Sequence, residues 1–186
     1  KRQPAKAVGI TGAEAVPGGG EATVVTGAGK SGYIVFDFGR EVSGYPNFEI
    51  ESADGGEIID MGYAEVLEDE EGKELSPLNP EGGHVNCSRG RVNYADRYIA
   101  SEGSQRWETF EKRAFRYMLL VVRDAEKPLK IKNVGLRFST YDVGDRGSFE
   151  SSDDVLNRIW DVGAYTLQLN MDDSYTDCPW RERGQW

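Results

Sequence analysis

The alternation of short apolar segments with turn signals between Tyr33 and Tyr141 is the feature that most constrains the fold. Segments rich in β-branched and aromatic residues are separated there by clusters of Gly, Pro and Asp. In Tyr45–Glu51 and Arg91–Ala100, apolar and polar residues alternate, which puts one face of each strand in a core. Ala114–Val122 is apolar on both faces, as in a central strand. About seven to nine such strands predict a mainly β fold, a two-sheet antiparallel, jelly-roll-like β-sandwich.

Two glycine-containing segments predict turns inside this β region. Gly39–Gly44 follows the apolar segment Tyr33–Phe38, which we interpret as a buried strand. Asp54-Gly55-Gly56 is a strong turn signal after the strand that ends near Glu51. We therefore expect one chain reversal at each place.

A glycine-rich segment near the start resembles nucleotide-binding loops. Gly27–Gly32 fits G-x-G-x-x-G and contains Gly-Lys-Ser. A phosphate loop would also need glycine at position 24, which is Val24, and a dinucleotide fingerprint needs a helix to follow. Tyr33–Phe38 is β-branched and aromatic instead. We interpret the segment as a turn into a strand, at the end of an irregular lead-in over residues 1–30.

Charge and composition exclude several partners. The formal net charge is −10, whereas nucleic-acid binding needs clustered Lys and Arg. No apolar run approaches the roughly 18 residues of a membrane span. The acidic segment Glu68–Gly72 lacks the ligand spacing of a calcium-binding EF-hand, and a solvated loop is the simpler interpretation. We expect no nucleic acid, no membrane, no metal and no cofactor; the compartment is not readable.

From residue 148 the apolar period changes from two to between three and four, which predicts an amphipathic helix. Ser151 is a candidate N-cap, and the helix should end near Asn170 or Met171. We therefore expect a β-sandwich domain over residues 1–147 and a second segment over 148–186. One helix cannot bury its own apolar face, so it either packs on the sandwich or begins a helical domain.

The segment Tyr175–Trp186 concentrates carboxylates, guanidiniums, indoles and a thiol in an irregular loop. Asp177 and Glu182 are close enough in sequence to reach one cavity. A carboxylic acid near indole rings and away from water keeps its proton to higher pH and can act as a general acid. Trp180 and Trp186 offer faces for a sugar ring. The alternative is structural: Asp177/Arg181 and Glu182/Arg183 ion pairs, with both tryptophans in the core.

The order of residues in this loop resembles a known family. Asp-Cys-Pro-x-Arg-Glu-Arg-x-x-Trp, at Asp177–Trp186, closely resembles the motif of the bacterial α-L-rhamnosidases, which are glycoside hydrolases. Further segments resemble that family in the same order along the chain: Phe36–Tyr45, Tyr63–Leu67, Asp96–Tyr98, Trp107–Phe110, Phe115–Tyr117 and Phe149–Trp160. Other members carry Arg-Asp-Glu-Arg where this chain has Arg181-Glu182-Arg183.

The resemblance implies a β-sandwich that precedes an (α/α)6 barrel, and hydrolysis of terminal α-L-rhamnosyl bonds with inversion. Glu182, the only glutamate in the loop, would be the general acid. Asp177 would bind sugar hydroxyls and set the acid's environment. Arg181 and Arg183 would bind or orient the sugar, and Trp186 would line the pocket. The implied substrate is a rhamnose-containing glycoside or polysaccharide.

The family motif continues beyond Trp186, and its general base is a glutamate farther along in the barrel. We therefore expect this chain to be a fragment that lacks its C-terminal (α/α)6 barrel and has no meaningful hydrolase activity alone. The alternative is a non-catalytic carbohydrate-binding or scaffolding sandwich, because exposed aromatic residues on a sandwich can bind sugar without chemistry.

Overall fold

The computed structural model describes residues 6–11, 13–15, 22–24, 31–76, 83–89, 92–144 and 147–185. The chain divides into two compact units, Lys1–Phe138 and Ser139–Trp186. The elements in chain order are β1 (Lys6–Thr11), β2 (Ala13–Ala15), β3 (Ala22–Val24), β4 (Gly32–Ala53), β5 (Ile58–Ala64), β6 (Leu67–Glu68), β7 (His84–Val85), β8 (Ser88–Arg89), β9 (Val92–Asn93), β10 (Ala95–Ile99), β11 (Gly103–Glu108), β12 (Arg113–Arg123), β13 (Leu129–Phe138) and α1 (Asp154–Leu169).

Strand β4, with 22 residues, organises the first unit. Its first half pairs with β1 and with β12, and from β12 the sheet continues through β5 to β10. Its second half pairs with β11 and with β13, from which the sheet continues through β3 to β2. All of these pairings are antiparallel. Since β4 belongs to both halves, nine of the described strands form one sheet that curls into a sandwich, while β6 pairs with β7 and β8 with β9 in two small separate sheets. The predicted fold class is confirmed.

The turn predicted at Gly39–Gly44 is wrong, because β4 continues through these residues. The chain bends there without reversing: Gly39 has a φ of 79°, and the pairing with β12 shifts register between Phe115 and Tyr117. The Asp37 carboxylate supports the bend by accepting the Gly39 N–H at 2.7 Å. The pairing with β12 is interrupted over residues 38–41 and resumes at Val42, so the glycines here mark a bulge that bends the strand without ending it.

The core prediction for Ala114–Val122 is confirmed. Strand β12 lies between β4 and β5, and its apolar side chains are buried on both faces. On one face, Tyr117 packs with Val35 and Leu67, and Leu75 and Val85 partly cover this cluster. Phe48 and Ile50, expected on one face of the second half of β4, are each 1% exposed. The turn at Asp54–Gly56 is also present, with positive φ at both glycines.

The lead-in contains more regular structure than the sequence indicated, because β1, β2 and β3 all join the main sheet. Residues 27–30 of the nucleotide-like segment lie outside the described residues. Strand β4 begins at Gly32, the last residue of that segment. A strand therefore follows it, as expected, where a dinucleotide-binding loop would be followed by a helix.

In the second unit, helix α1 is confirmed, but its N-cap is not Ser151. Asp153 caps the helix, because its carboxylate accepts the Val155 N–H at 2.8 Å. Ser151 instead binds Asn157: its N–H donates to Asn157 Oδ1 at 2.8 Å, and Asn157 Nδ2 donates to the Ser151 carbonyl at 2.9 Å. The helix ends at Leu169, with Asn170 as its C-cap, as predicted.

Most apolar side chains of α1 are exposed, which is unusual for a helix that bears so many of them. Phe149 stacks on Trp160, with ring centroids 5.6 Å apart. Leu169 is the buried residue of the helix. The exposed apolar residues are Val155, Leu156, Ile159, Trp160, Val162 and Leu167. No helix in the described ranges has the length and apolarity needed to cross a membrane.

Candidate active-site loop

Residues 177–184 form a closed loop, which we call the terminal loop. Asp177 and Gly184 close it reciprocally: the Asp177 N–H donates to the Gly184 carbonyl at 3.0 Å, and the Gly184 N–H donates to Asp177 Oδ1 at 2.8 Å. One carboxylate oxygen of Asp177 therefore has a structural role. The predicted irregular loop is present, and its ends are held at one point.

A second hydrogen bond closes a smaller turn inside the terminal loop. The backbone N–H of Glu182 donates to Cys178 Sγ at 3.2 Å. Pro179 lies between the two residues and restricts the backbone of Cys178 towards extended conformations. This contact of Cys178 was not predicted from the sequence. The signal in the sequence was that Cys178 lies four residues before Glu182 in a Pro-containing segment. This spacing does not indicate which atom the sulfur would contact.

The terminal loop is tied to the end of helix α1. The Thr176 N–H donates to the Asn170 carbonyl at 3.0 Å, and the Thr176 hydroxyl lies 3.3 Å from the same oxygen. In the segment between Asn170 and Thr176, Met171 and Tyr175 form an isolated antiparallel β-bridge. The helix cap thus sets where the loop begins, which explains why a polar segment without secondary structure has a defined position.

Glu182 and Arg181 lie next to each other at the surface of the loop. Arg181 Nη2 is 3.1 Å from Glu182 Oε1, and the two side chains are 54% and 51% exposed. This ion pair was not among those expected from sequence. The described residues leave the Glu182 carboxyl about half in solvent, so they do not supply the water-excluded surroundings that the sequence analysis expected for it.

Arg183 shares a cleft with Glu182. The cleft has a volume of about 380 Å³ and is lined by Asp172, Asp173, Ser174, Thr176, Glu182 and Arg183. Its carboxylates outnumber its guanidinium, which disfavours an anionic ligand. Hydroxyl, carboxylate and guanidinium groups are instead suited to a neutral molecule with many hydroxyls, since they supply both donors and acceptors. Arg183 has a φ of 50°, a conformation uncommon for non-glycine residues.

Of the two tryptophans of the motif, the structure describes only Trp180. Trp180 is buried, with 4% of its surface exposed. It offers no open face to a sugar, and the core interpretation is right for this residue. Trp186 lies outside the described residues. Of the five predicted site residues, the structure therefore brings Asp177, Arg181, Glu182 and Arg183 into one loop.

Comparison with known proteins identifies the family. The concanavalin-like domain of bacterial alpha-L-rhamnosidases matches residues 28–137. The chain belongs to the bacterial alpha-L-rhamnosidase family. The 6 hairpin glycosidase domain of bacterial alpha-L-rhamnosidases matches residues 144–186, which include helix α1 and the terminal loop.

Individual rhamnosidases agree with this assignment. An alpha-L-rhamnosidase of Formosa agariphila is 26% identical over 168 residues, which are 85% of this chain and 16% of that protein. A GH78 family rhamnosidase of Bacillus sp. GL1 has a TM-score of 0.70 at 31% identity, over 93% of this chain and 16% of that one. A rhamnosidase from Klebsiella oxytoca with rhamnose bound, 20% identical, has a TM-score of 0.70 over 100% of this chain and 37% of that one, which supports the fold alone. The chain thus spans about one sixth of the curated relative's length.

Proposed function

We propose that this chain is part of an α-L-rhamnosidase, in which it supplies the β-sandwich and the loop that carries the general acid. The observation that carries the proposal is the closed terminal loop, which presents Glu182 and Arg183 to one cleft within the segment similar to a 6 hairpin glycosidase domain. The substrate is a rhamnose-containing glycoside or polysaccharide. The domains are residues 1–147 and the part of a helical domain over 148–186.

In the proposed reaction, Glu182 protonates the glycosidic oxygen as the bond to rhamnose breaks. Arg181 and Arg183 donate hydrogen bonds to sugar hydroxyls, and Trp186 lines the pocket. Asp177 accepts hydrogen bonds from sugar hydroxyls while its Oδ1 also closes the loop on Gly184. The half-exposed Glu182 carboxyl becomes buried when the sugar and the remaining protein cover it.

Inversion also needs a second carboxylate, about 6.5–9.5 Å from the acid, to activate water on the opposite face of the sugar. In the proposal Asp177 is not this second carboxylate, because its oxygens close the loop on Gly184 and accept hydrogen bonds from the sugar hydroxyls. The base belongs to the (α/α)6 barrel of the whole protein. The exposed apolar side chains of helix α1 support this arrangement, since further helices of such a barrel would cover them.

Two assays test the proposal on the full-length protein that contains this chain. We expect hydrolysis of 4-nitrophenyl α-L-rhamnopyranoside and no comparable turnover of the matching α-L-fucoside or α-D-mannoside. Proton NMR during the first minutes should detect β-L-rhamnose as the first product, before mutarotation. Equal turnover of all three sugars would contradict the substrate class, and α-L-rhamnose as first product would contradict inversion. The 186-residue chain alone should be inactive.

A further inference from the structure

We propose that Cys178 is a positioning residue for Glu182: its sulfur anchors the backbone of the acid within the terminal loop. The inference rests on the proposed function, since it assigns a role beside the proposed acid. It is carried by a direct contact, the hydrogen bond from the Glu182 N–H to Cys178 Sγ at 3.2 Å. Neither the motif order nor the comparisons assign this contact.

Among the described residues, Glu182 makes two polar contacts. Its side chain pairs with Arg181, and its backbone N–H bonds to Cys178. The ion pair is half exposed, so water screens it and it holds the carboxyl only weakly. The sulfur contact is also exposed, but it acts on the backbone of Glu182 rather than on its side chain. It therefore restrains where the Cα of Glu182 lies relative to Cys178.

The two closures of the terminal loop restrain different parts of it. Asp177 and Gly184 hold the ends of the loop together across the six residues between them. The Cys178 contact divides that span and leaves a short turn from Pro179 to Arg181. Without it, the loop would stay attached to helix α1 through Thr176, but the position of Glu182 would be less restricted. A displacement of about 1 Å at a reacting group costs on the order of 100-fold in rate.

If Cys178 positions Glu182, replacing Cys178 should lower kcat by an amount that depends on the leaving group of the glycoside. A misplaced acid slows cleavage of a glycoside with a poor leaving group, which needs protonation, and has less effect on an activated aryl glycoside, which does not. In the full-length protein, Cys178→Ala and Cys178→Val should lower kcat about 10- to 100-fold for an alkyl α-L-rhamnoside. The loss should be less than about 5-fold for 2,4-dinitrophenyl α-L-rhamnoside, with KM within about 2-fold for both, because ground-state sugar binding is unchanged.

Further variants serve as matched controls. Valine fills the volume of the thiol without accepting a hydrogen bond, so it separates packing from acceptance if the alanine variant does not fold. Cys178→Ser should recover part of the lost kcat, because its oxygen accepts an N–H, although through a shorter bond from Cβ. Cys87→Ala removes the other thiol of the chain, which lies in the sandwich against Gly62, and should leave both rates unchanged.

Glu182→Gln removes the proposed acid, so its dependence on the leaving group is the reference for the Cys178 variants. If it shows the dependence on the leaving group and the Cys178 variants do not, the positioning role is wrong while the proposed function stands. An equal loss on both substrates for Cys178→Val, or no loss, would likewise overturn the inference. If Glu182→Gln itself shows no dependence, the acid assignment fails, and the role of Cys178 fails with it.

Discussion

Arg116 holds Asp37 through two parallel hydrogen bonds, from Nε to Oδ1 at 2.9 Å and from Nη2 to Oδ2 at 3.0 Å. The pair joins β12 to β4 where β4 bends, and the Asp37 side chain is only 3% exposed. Asp37 Oδ1 also accepts the Gly39 N–H. One buried carboxylate therefore fixes both the ladder between the strands and the bend that lets β4 serve both halves of the sandwich.

Arg116→Ala should lower the free energy of unfolding by about 3–5 kcal/mol, since it leaves the Asp37 carboxylate buried without its cation. Lys127→Ala is the matched control. In its pair with Asp54 the two side chains are 73% and 58% exposed, so its removal should leave the stability almost unchanged. Urea unfolding followed by far-ultraviolet circular dichroism measures both. A loss below about 1 kcal/mol for Arg116→Ala would contradict this account of the bend.

Gly44→Ala should prevent the sandwich from folding. A Cβ at Gly44 would overlap the carbonyl oxygen of Arg137 and lie 2.9 Å from the Cα of Phe138, both backbone atoms of the neighbouring strand β13. Gly56→Ala is the control, because Gly56 also has positive φ but nothing lies within 4 Å of its Cβ position. It should cost only about 1 kcal/mol from backbone strain. Soluble yield and circular dichroism would distinguish them, and a normally folded Gly44→Ala would be the contrary result.

Stability should fall between acidic and neutral pH partly because of Glu41. Burial, and then repulsion from Glu65, raise the pKa of Glu41 well above its ordinary value of 4.5. As the pH rises through that value, the unfolded chain releases the proton first, so the unfolded state gains stability over the folded one. This loss of stability grows until the pH passes the raised pKa of Glu41 in the folded state. Below the ordinary pKa of 4.5 it is absent.

Glu41→Gln removes that loss, because glutamine does not ionise. The variant should match the parent chain near pH 4 and be more stable at pH 7, by on the order of 1 kcal/mol. Glu70→Gln, in the exposed acidic turn, serves as the control and should have no such effect. Urea titrations at the two pH values measure the difference. An equal effect of Glu41→Gln at both would show that ionisation of Glu41 is not involved.

Arg183 should be needed for activity although its backbone is strained. Its φ of 50° favours glycine, so Arg183→Gly should stabilise the second unit by about 1 kcal/mol, while Arg183→Ala should not. Both variants remove the guanidinium from the cleft and should reduce kcat/KM in the full-length protein to a similar extent. Thermal unfolding and rhamnoside hydrolysis measure the two effects. An active Arg183→Gly variant would remove Arg183 from the proposed site.

The sequence predicted the β-sandwich and the helix because their apolar periods are long and regular, as in Ala114–Val122. Predictions from the sequence were wrong where a side-chain contact, rather than the local composition, determined the structure. Gly39–Gly44 has the composition of a turn, but the Asp37–Arg116 pair, distant in sequence, keeps the strand continuous. Ser151 and Asp153 are both good N-caps. The choice between them depends on Asn157, which binds Ser151 from within the helix.

The order of the motif predicted which residues form the proposed site, but it did not predict the geometry of the loop that carries them. Charge alone suggested other ion pairs than the one between Arg181 and Glu182. The buried Trp180 and the sulfur contact of Cys178 depend on the folded path of the loop, which no periodic pattern specifies. Loops without repeats are set by individual hydrogen bonds, and sequence rarely reveals those.

The pH–rate profile of Glu182→Gln in the full-length protein tests the central claim most directly. If Glu182 is the general acid, kcat for an alkyl α-L-rhamnoside, whose leaving group needs protonation, should fall about 10²- to 10⁴-fold, and the decline in rate at alkaline pH should disappear. Circular dichroism should confirm that the variant folds like the parent. A rate within about 2-fold of the parent, with the alkaline decline intact, would contradict the claim.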